Sequence, residues 1–106
     1  MVRRFGLTED VINKICGVLS GHPEIEQAIL YGSRAKGTYT TGSDIDLTLR
    51  GGADLTQDVL YSVIHELDDL LLPYTIDLSL YSSLHDTDFI GHIQRVGVVL
   101  YERKAR

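Results

Sequence analysis

Apolar side chains recur every three or four positions in three segments of the chain, which is the spacing of residues on one face of an α-helix. We therefore predict helices over residues 9–20, 57–72 and 87–94. A residue that can cap a helix stands before each segment, and these residues are Thr8, Asp54 or Thr56, and Asp86. Gly21 and Pro73 end the first two segments, because neither residue favours continuing a helix.

Four other segments carry the pattern of β-strands, in which apolar and polar residues alternate or a short apolar run is bounded by turn residues. We predict strands over residues 25–31, 44–50, 75–81 and 96–102, with a short helical turn at 33–37 after the first strand. Strands that alternate with helices indicate the mixed α/β class. The first two strands lack a full crossover helix between them, so we expect a small mixed sheet with the helices packed on one face.

Composition and net charge exclude several classes of protein. The chain has 106 residues, 43% of them hydrophobic, which fits one domain over residues 1–106. No apolar run approaches the ~20 residues of a membrane span, and no apolar segment follows the N-terminal arginines as in a signal peptide. A single cysteine, Cys16, excludes an intramolecular disulfide, so we expect a cytoplasmic protein. The net charge of −5 argues against DNA binding but leaves room for a bound nucleotide.

Two predicted strands carry the same five-residue pattern, Ile-Asp-Leu-(Thr/Ser)-Leu, around Asp46 and Asp77. Because side chains alternate between the two faces of a strand, the apolar residues share one face and the aspartates share the other. If the strands are neighbours in similar register, Asp44, Asp46 and Asp77 converge on that face. Carboxylates this close repel one another and suit a hard cation, Mg²⁺ in particular. Solvent exposure is the simpler interpretation of one such residue alone, but aspartate is depleted in strands.

The segment between the first two strands has the residue types of a phosphate-binding turn. Gly32 directly follows the first strand, so its backbone can approach a ligand without a Cβ in the way. Ser33 and the amides after it begin a helical turn, a geometry that favours phosphate. Arg34 and Lys36 add positive charge, and Gly37 lets the chain leave the turn in a left-handed conformation. Taken alone, this segment is equally compatible with a solvated turn, and it is not a Walker A loop.

The two halves together resemble a known family. Gly-Ser at 32–33 is followed by ten residues and then by Asp-Ile-Asp at 44–46, with another strand aspartate later in the chain. This combination resembles the DNA polymerase beta nucleotidyltransferase superfamily, and in so short a chain it is most similar to the minimal nucleotidyltransferases, or MNT proteins. The resemblance extends over nearly the whole chain and implies the polymerase beta-like palm fold. Family members often have Phe and Arg where this chain has Tyr31 and Lys36, and both changes preserve the chemical character.

The resemblance implies a role for each residue of the two motifs. Asp44 and Asp46 would ligate two Mg²⁺ ions, and Asp77 would ligate the catalytic ion and serve as, or position, the base for the incoming hydroxyl. Gly32 and Ser33 would hold the β- and γ-phosphates of ATP. A supporting contact, either to phosphate or to an acid of the fold, would come from Arg34.

MNT proteins are often paired with a small helical HEPN protein, as antitoxin and toxin. The resemblance therefore implies transfer of AMP from ATP to a tyrosine of a HEPN toxin, within a hetero-oligomer, or a homodimer when the chain is alone. Two alternatives stay open: a non-catalytic antitoxin that neutralises the toxin by masking it, and nucleotidyl transfer to a small molecule. Neither DNA nor a membrane is expected as a partner, since the net charge is −5 and no membrane span is visible.

Other polar residues have simpler structural interpretations. The four histidines have no metal-ligand spacing to cysteine or to one another, and they are His22, His65, His85 and His92. We place each of them at the surface or on a helix face. Cys16 lies on the apolar stripe of the first helix and is interpreted as a small core residue.

Overall fold

The computed structural model describes residues 3–104, in which strands and helices alternate along most of the chain. In chain order the elements are β1 (Arg3–Arg4), β2 (Leu7–Thr8), α1 (Glu9–Ser20), β3 (Ile25–Tyr31), α2 (Gly32–Lys36), β4 (Ile45–Gly51), α3 (Gln57–Asp69), β5 (Ile76–Leu80), a 3-10 turn (Tyr81–Ser83), α4 (Thr87–Val96) and β6 (Val98–Glu102). Side chains of Thr8, Thr56 and Asp86 accept hydrogen bonds from first-turn amides of α1, α3 and α4, which confirms these predicted caps. Within residues 3–104, no helix is long and apolar enough to cross a membrane.

The central sheet has the strand order β5-β4-β3-β6. Strand β3 is antiparallel to both β4 and β6, whereas β4 and β5 are parallel. The parallel pair is joined through the long helix α3, which supplies the crossover that parallel strands need. Between β3 and β4 there is only α2 and a loop, so these two strands run in opposite directions. The mixed sheet and the α/β class predicted from the sequence are confirmed.

One face of the sheet forms the core together with α1 and α3. The inward residues of β4, Ile45, Leu47 and Leu49, are almost completely buried. They belong to one cluster with buried helix residues, which are Ile12, Ile15 and Leu19 of α1 and Leu60, Val63 and Leu67 of α3. Burial of a side chain of this size contributes roughly 1.5–3 kcal/mol, so apolar packing holds both helices on this face.

Helix α4 lies on the opposite face, which carries the polar residues of β4. The Phe89 ring meets the Tyr31 ring edge-on, with 5.3 Å between the centroids. Tyr31 is the antiparallel register partner of Asp46, so these two side chains share a face. One turn after Phe89, Ile93 is buried as well. The expectation that all helices pack on one face of the sheet therefore holds for α1 and α3 but not for α4. Tyr31 and Ile29 present apolar surface on the polar face, and α4 packs there.

Strands β1 and β2 form a small antiparallel hairpin that the sequence pattern did not predict. The two turn residues, Phe5 and Gly6, have φ values of 58° and 73°, and tight two-residue hairpin turns need such positive values. Glycine adopts them freely, whereas phenylalanine rarely does. The turn therefore lacks the residue pair that would have marked it in the sequence.

Candidate active site

Asp46 and Asp77 lie side by side on the polar face of the sheet. Their strands, β4 and β5, are parallel neighbours, and Asp46 is the register partner of Asp77. Because neighbouring strands are about 4.8 Å apart, the two side chains are close together. Next along the pair, the Ser79 hydroxyl donates a hydrogen bond to the Thr48 hydroxyl at 3.0 Å. The register predicted from the repeated Ile-Asp-Leu pattern is therefore confirmed.

The acid–base chemistry of Asp46 reflects its neighbours. Burial raises the pKa of its carboxyl above the ordinary value, and the negative charges of Asp77 and Asp44 raise this pKa further. His92 of α4 acts in the opposite direction and lowers it. Asp44 directly precedes β4 and is exposed. Asp44, Asp46 and Asp77, called the acid cluster below, thus lie at the same end of the parallel strand pair, and ionised Asp46 is disfavoured there.

Gly32 joins β3 to α2 directly beside this cluster. Its φ is +75°, in the left-handed region. A Cβ at this position would overlap Oδ2 of Asp46 and lie 3.2 Å from its Cγ. Ser33 follows as a half-buried residue in the first turn of α2, and Gly37 ends the helix with a φ of 84°, in the predicted left-handed conformation. The turn predicted to hold phosphate therefore begins in contact with the acid cluster.

Arg34 is buried, with an exposed fraction of 1%, and its guanidinium binds backbone carbonyls. Nε and Nη2 donate to the Ser43 carbonyl at 3.1 and 2.9 Å, and Nη1 donates to the Phe5 carbonyl at 2.8 Å. The Tyr39 and Tyr74 rings lie 5.3 and 5.0 Å from the guanidinium carbon, within cation–π range. This differs from the expected contact to phosphate or to an acid. Two loops place carbonyls here that need donors, and a guanidinium provides five N–H groups.

Replacing Arg34 by Lys is expected to destabilise the fold although the charge is kept. An ammonium cannot span the Ser43 and Phe5 carbonyls as a planar guanidinium does, and a hydrogen bond to a charged group contributes about 1.5 kcal/mol. We expect the Tm, measured by circular dichroism, to fall by about 6–12 °C. Arg95→Lys, at an exposed position of α4, is the matched control and should leave the Tm nearly unchanged. Equal Tm values for the two variants would contradict a stabilising role of the buried guanidinium.

Two further side chains at the acid cluster were not predicted from the sequence. Burial and the charges of Asp77 and Asp46 raise the pKa of the Tyr31 phenol, so this ring lies beside the acids. His92 is half-buried and lowers the pKa of Asp46, whereas the sequence analysis placed it at the surface or on a helix face. No signal in the sequence could have found His92, because its spacing from Phe89 becomes informative only when the docking of α4 on the sheet is known.

The carboxylates of the acid cluster and the turn beside them fit a Mg²⁺ ion that is bound together with a nucleotide. Among residues 3–104, no three His, Cys, Asp or Glu side chains lie close enough to hold a metal ion by themselves. Mg²⁺ is usually bound through one or two carboxylates plus substrate phosphates, and an all-protein cage is not required. Asp46 and Asp77 supply neighbouring carboxylates that would hold the ion, and the turn that begins at Gly32 lies directly beside the Asp46 carboxylate.

A family model matches most of the chain. It is described as polymerase beta, nucleotidyltransferase, and the match covers residues 13–106. This range includes both halves of the motif and all three acids of the cluster. No curated protein sequence matches the chain significantly.

Solved structures share the fold at low sequence identity. A chain of a toxin–antitoxin complex with AMP-PNP has a TM-score of 0.69 at 24% identity, covering 88% of this chain and 74% of that chain. A chain of the complex between tri-AMPylated Shewanella oneidensis HEPN toxin and MNT antitoxin has a TM-score of 0.64 at 20% identity, covering 90% and 72%. For the toxin–antitoxin MntA–HepT the TM-score is 0.65 at 21% identity, covering 91% and 74%. At these identities the likeness shows a common fold.

Proposed function

Because this chain belongs to the polymerase beta nucleotidyltransferase family, we propose that it is a Mg²⁺-dependent adenylyltransferase. Its donor is ATP, and its acceptor is a tyrosine hydroxyl of a HEPN-type toxin for which this chain is the antitoxin. The observation that carries the proposal is the direct pairing of Asp46 with Asp77 beside the turn that begins at Gly32. This arrangement puts two carboxylates next to a glycine turn with free backbone amides, and nucleotidyl transfer requires both groups.

The nucleotide binds between the turn and the acid cluster. Gly32 and Ser33 hold the β- and γ-phosphates through backbone amides and the serine hydroxyl. Asp44, Asp46 and Asp77 would hold the metal ions, with Asp77 on the catalytic one. Bound Mg²⁺ supplies neutralisation of the negative charge that develops on the phosphate oxygens. The protein's own contribution is to fix the donor and the acceptor in line, since positioning supplies much of the rate in such reactions.

The transfer step exchanges one phosphorus–oxygen bond for another. The acceptor phenol oxygen attacks the α-phosphorus of ATP and forms a phosphodiester. At the same time the bond from the α-phosphorus to the bridging oxygen of the β-phosphate breaks, and pyrophosphate leaves with that oxygen. The phenol proton passes to the Asp77 carboxylate, directly or through a water that this carboxylate positions. The products are AMP-tyrosine on the partner and pyrophosphate.

The choice of partner is supported by the solved relatives and by charge. In one relative of the same fold an MNT antitoxin is bound to an AMPylated HEPN toxin, and in another a toxin–antitoxin complex contains AMP-PNP. The net charge of −5 suits a protein acceptor better than DNA. We therefore propose a hetero-oligomer of this chain with its HEPN partner as the assembly in which transfer occurs.

Removing Mg²⁺ is expected to abolish label transfer from ATP to the partner. The purified protein is incubated with the HEPN protein, [α-³²P]ATP and Mg²⁺, and protein-bound label is counted after electrophoresis. Label is expected on a partner tyrosine, to fall to background with excess EDTA, and to return when Mg²⁺ is added in excess. The matched control is [γ-³²P]ATP, which should give no label because the γ-phosphate leaves in pyrophosphate.

The same experiment separates the alternatives. Label from [γ-³²P]ATP would identify phosphoryl transfer and contradict the proposal. Neutralisation of the toxin that is as complete without ATP as with it would identify masking by complex formation as the function. Label that appears on an added small hydroxylated acceptor, and not on the partner, would identify a small-molecule nucleotidyltransferase.

A further inference from the structure

His92 lies on the helix that borders the acid cluster. One turn earlier on α4, Phe89 packs edge-on against Tyr31, and the residue after His92, Ile93, is buried. These two contacts hold α4 against the polar face of the sheet. Helix α4 also runs beside α2, which begins with Gly32. His92 is therefore a half-buried residue of a fixed helix that borders both the acids and the phosphate-binding turn.

The negative charges at the site require a further hydrogen-bond donor if an anionic phosphate chain is to bind there. Asp46 and Asp77 place two carboxylates side by side where an anionic nucleotide would bind. Arg34, the arginine that follows the turn, is buried and donates to backbone carbonyls. Lys36 lies exposed at the end of α2. In contrast, His92 is half-buried and follows Phe89 by three residues on the same side of α4. Phe89 packs on Tyr31, the register partner of Asp46, so this side of α4 borders the face that carries the acids.

We propose that His92 is a further nucleotide-binding residue, whose imidazole N–H donates a hydrogen bond to the phosphate chain of ATP. This assignment rests on the proposed function, because it concerns the same bound nucleotide. An imidazole carries an N–H in its neutral and in its protonated form, so the contact exists in both. The phosphate oxygen is a charged acceptor, which makes such a hydrogen bond shorter and stronger than one between neutral groups. His92 thus takes the place that the sequence had predicted for Arg34.

The test measures the Kd of AMP-PNP by isothermal titration calorimetry at fixed Mg²⁺ for wild type and four variants. His92→Ala is expected to weaken binding about 10-fold, the usual effect of losing a hydrogen bond to a charged group. His92→Phe keeps the aromatic bulk without the donor and is expected to lose as much. His92→Gln keeps a side-chain N–H and is expected to recover most of the affinity. The matched control is His65→Ala, an exposed histidine on α3, which should bind like wild type.

Each contrary outcome has a distinct meaning. Wild-type affinity in His92→Ala would overturn the assignment. Recovery of affinity by His92→Phe as well as by His92→Gln would also overturn it, because packing would then account for the effect. A wild-type protein that does not bind AMP-PNP at all would instead overturn the proposed function, on which the assignment rests.

Discussion

Replacing Asp46 by Asn is expected to stop nucleotidyl transfer almost completely and, at the same time, to raise the Tm. Loss of an outer partner of a metal ligand typically costs 10–100-fold in activity, so loss of a ligand itself should cost more than about 100-fold. Asn has the same shape as Asp, and the side chain lies on the polar face away from the apolar core. The complex with the proposed HEPN partner should therefore still form, which size-exclusion chromatography can measure beside label transfer.

The increase in Tm follows from the raised pKa of Asp46. Burial and the charges of Asp77 and Asp44 raise this pKa in the folded state, whereas an unfolded chain has the ordinary value of about 3.9. The folded state therefore binds the proton more tightly, and stability falls as the pH rises from the unfolded pKa through the folded pKa. Asn carries no charge at any pH. The Tm difference between the variant and wild type should be largest near neutral pH and disappear at a pH below both pKa values.

Two measurements complete this prediction. Addition of Mg²⁺ with AMP-PNP should raise the Tm of wild type more than that of Asp46→Asn, because ligands stabilise the state that binds them. Asp54→Asn, at an exposed loop position, is the matched control and should change neither activity nor Tm appreciably. A lower Tm for Asp46→Asn would contradict the electrostatic account of this cluster. Undiminished neutralisation of the toxin by this variant would show that transfer is not needed for the biological effect.

Gly32→Ala is expected to reduce transfer as strongly as Asp46→Asn but to lower the Tm. A non-glycine residue in the left-handed conformation costs about 1 kcal/mol, which corresponds to a Tm lower by about 4–8 °C. The added Cβ would also overlap the Asp46 carboxylate. That carboxylate must move, and a displacement of about 1 Å at a reacting site can cost about 100-fold in rate. Label transfer and thermal unfolding of the same preparation check both parts.

The matched control for this variant is Gly37→Ala. Gly37 also has a positive φ, of 84°, but a Cβ there would meet nothing within 4 Å. The backbone strain is therefore similar and the contact with the acid cluster is missing. We expect a similar decrease in Tm with a far smaller decrease in transfer than for Gly32→Ala. Equal losses of activity in the two variants would show that strain alone, and not the overlap with Asp46, is responsible.

The parts of the site that could be predicted are those encoded by short-range periodicity. The repeated Ile-Asp-Leu pattern placed Asp46 and Asp77 on matching faces, and the structure pairs them in register. The strand at 25–31 and the helix caps follow from alternation and from capping chemistry, and both were found. Such features depend on residues that are close in sequence, so one sequence contains the information.

The parts that could not be predicted depend on contacts between distant segments. Arg34 meets the Phe5 carbonyl, and nothing in the local sequence indicates that a hairpin turn will present it. The position of α4 depends on which face of the sheet leaves Tyr31 uncovered, and this is known only once the strand order is known. His92 gains its relation to Asp46 through that same docking. The periodicity of apolar residues predicts which side of a helix is buried, but it does not predict which surface of the sheet that side packs against.

The buried Arg34 guanidinium links the two ends of the loop that lies between the two halves of the motif. Arg34 follows the Gly-Ser pair, and its side chain ends on the carbonyl of Ser43, the residue before Asp44. Because these hydrogen bonds hold the end of the loop, the length of the Arg34 side chain sets the distance from the turn to Asp44. The path of the intervening residues then has little influence on that distance. Apart from Gly37, with its positive φ, and Tyr39, which packs on the guanidinium, the exposed residues of 36–42 can vary in sequence at small cost to the geometry of the site.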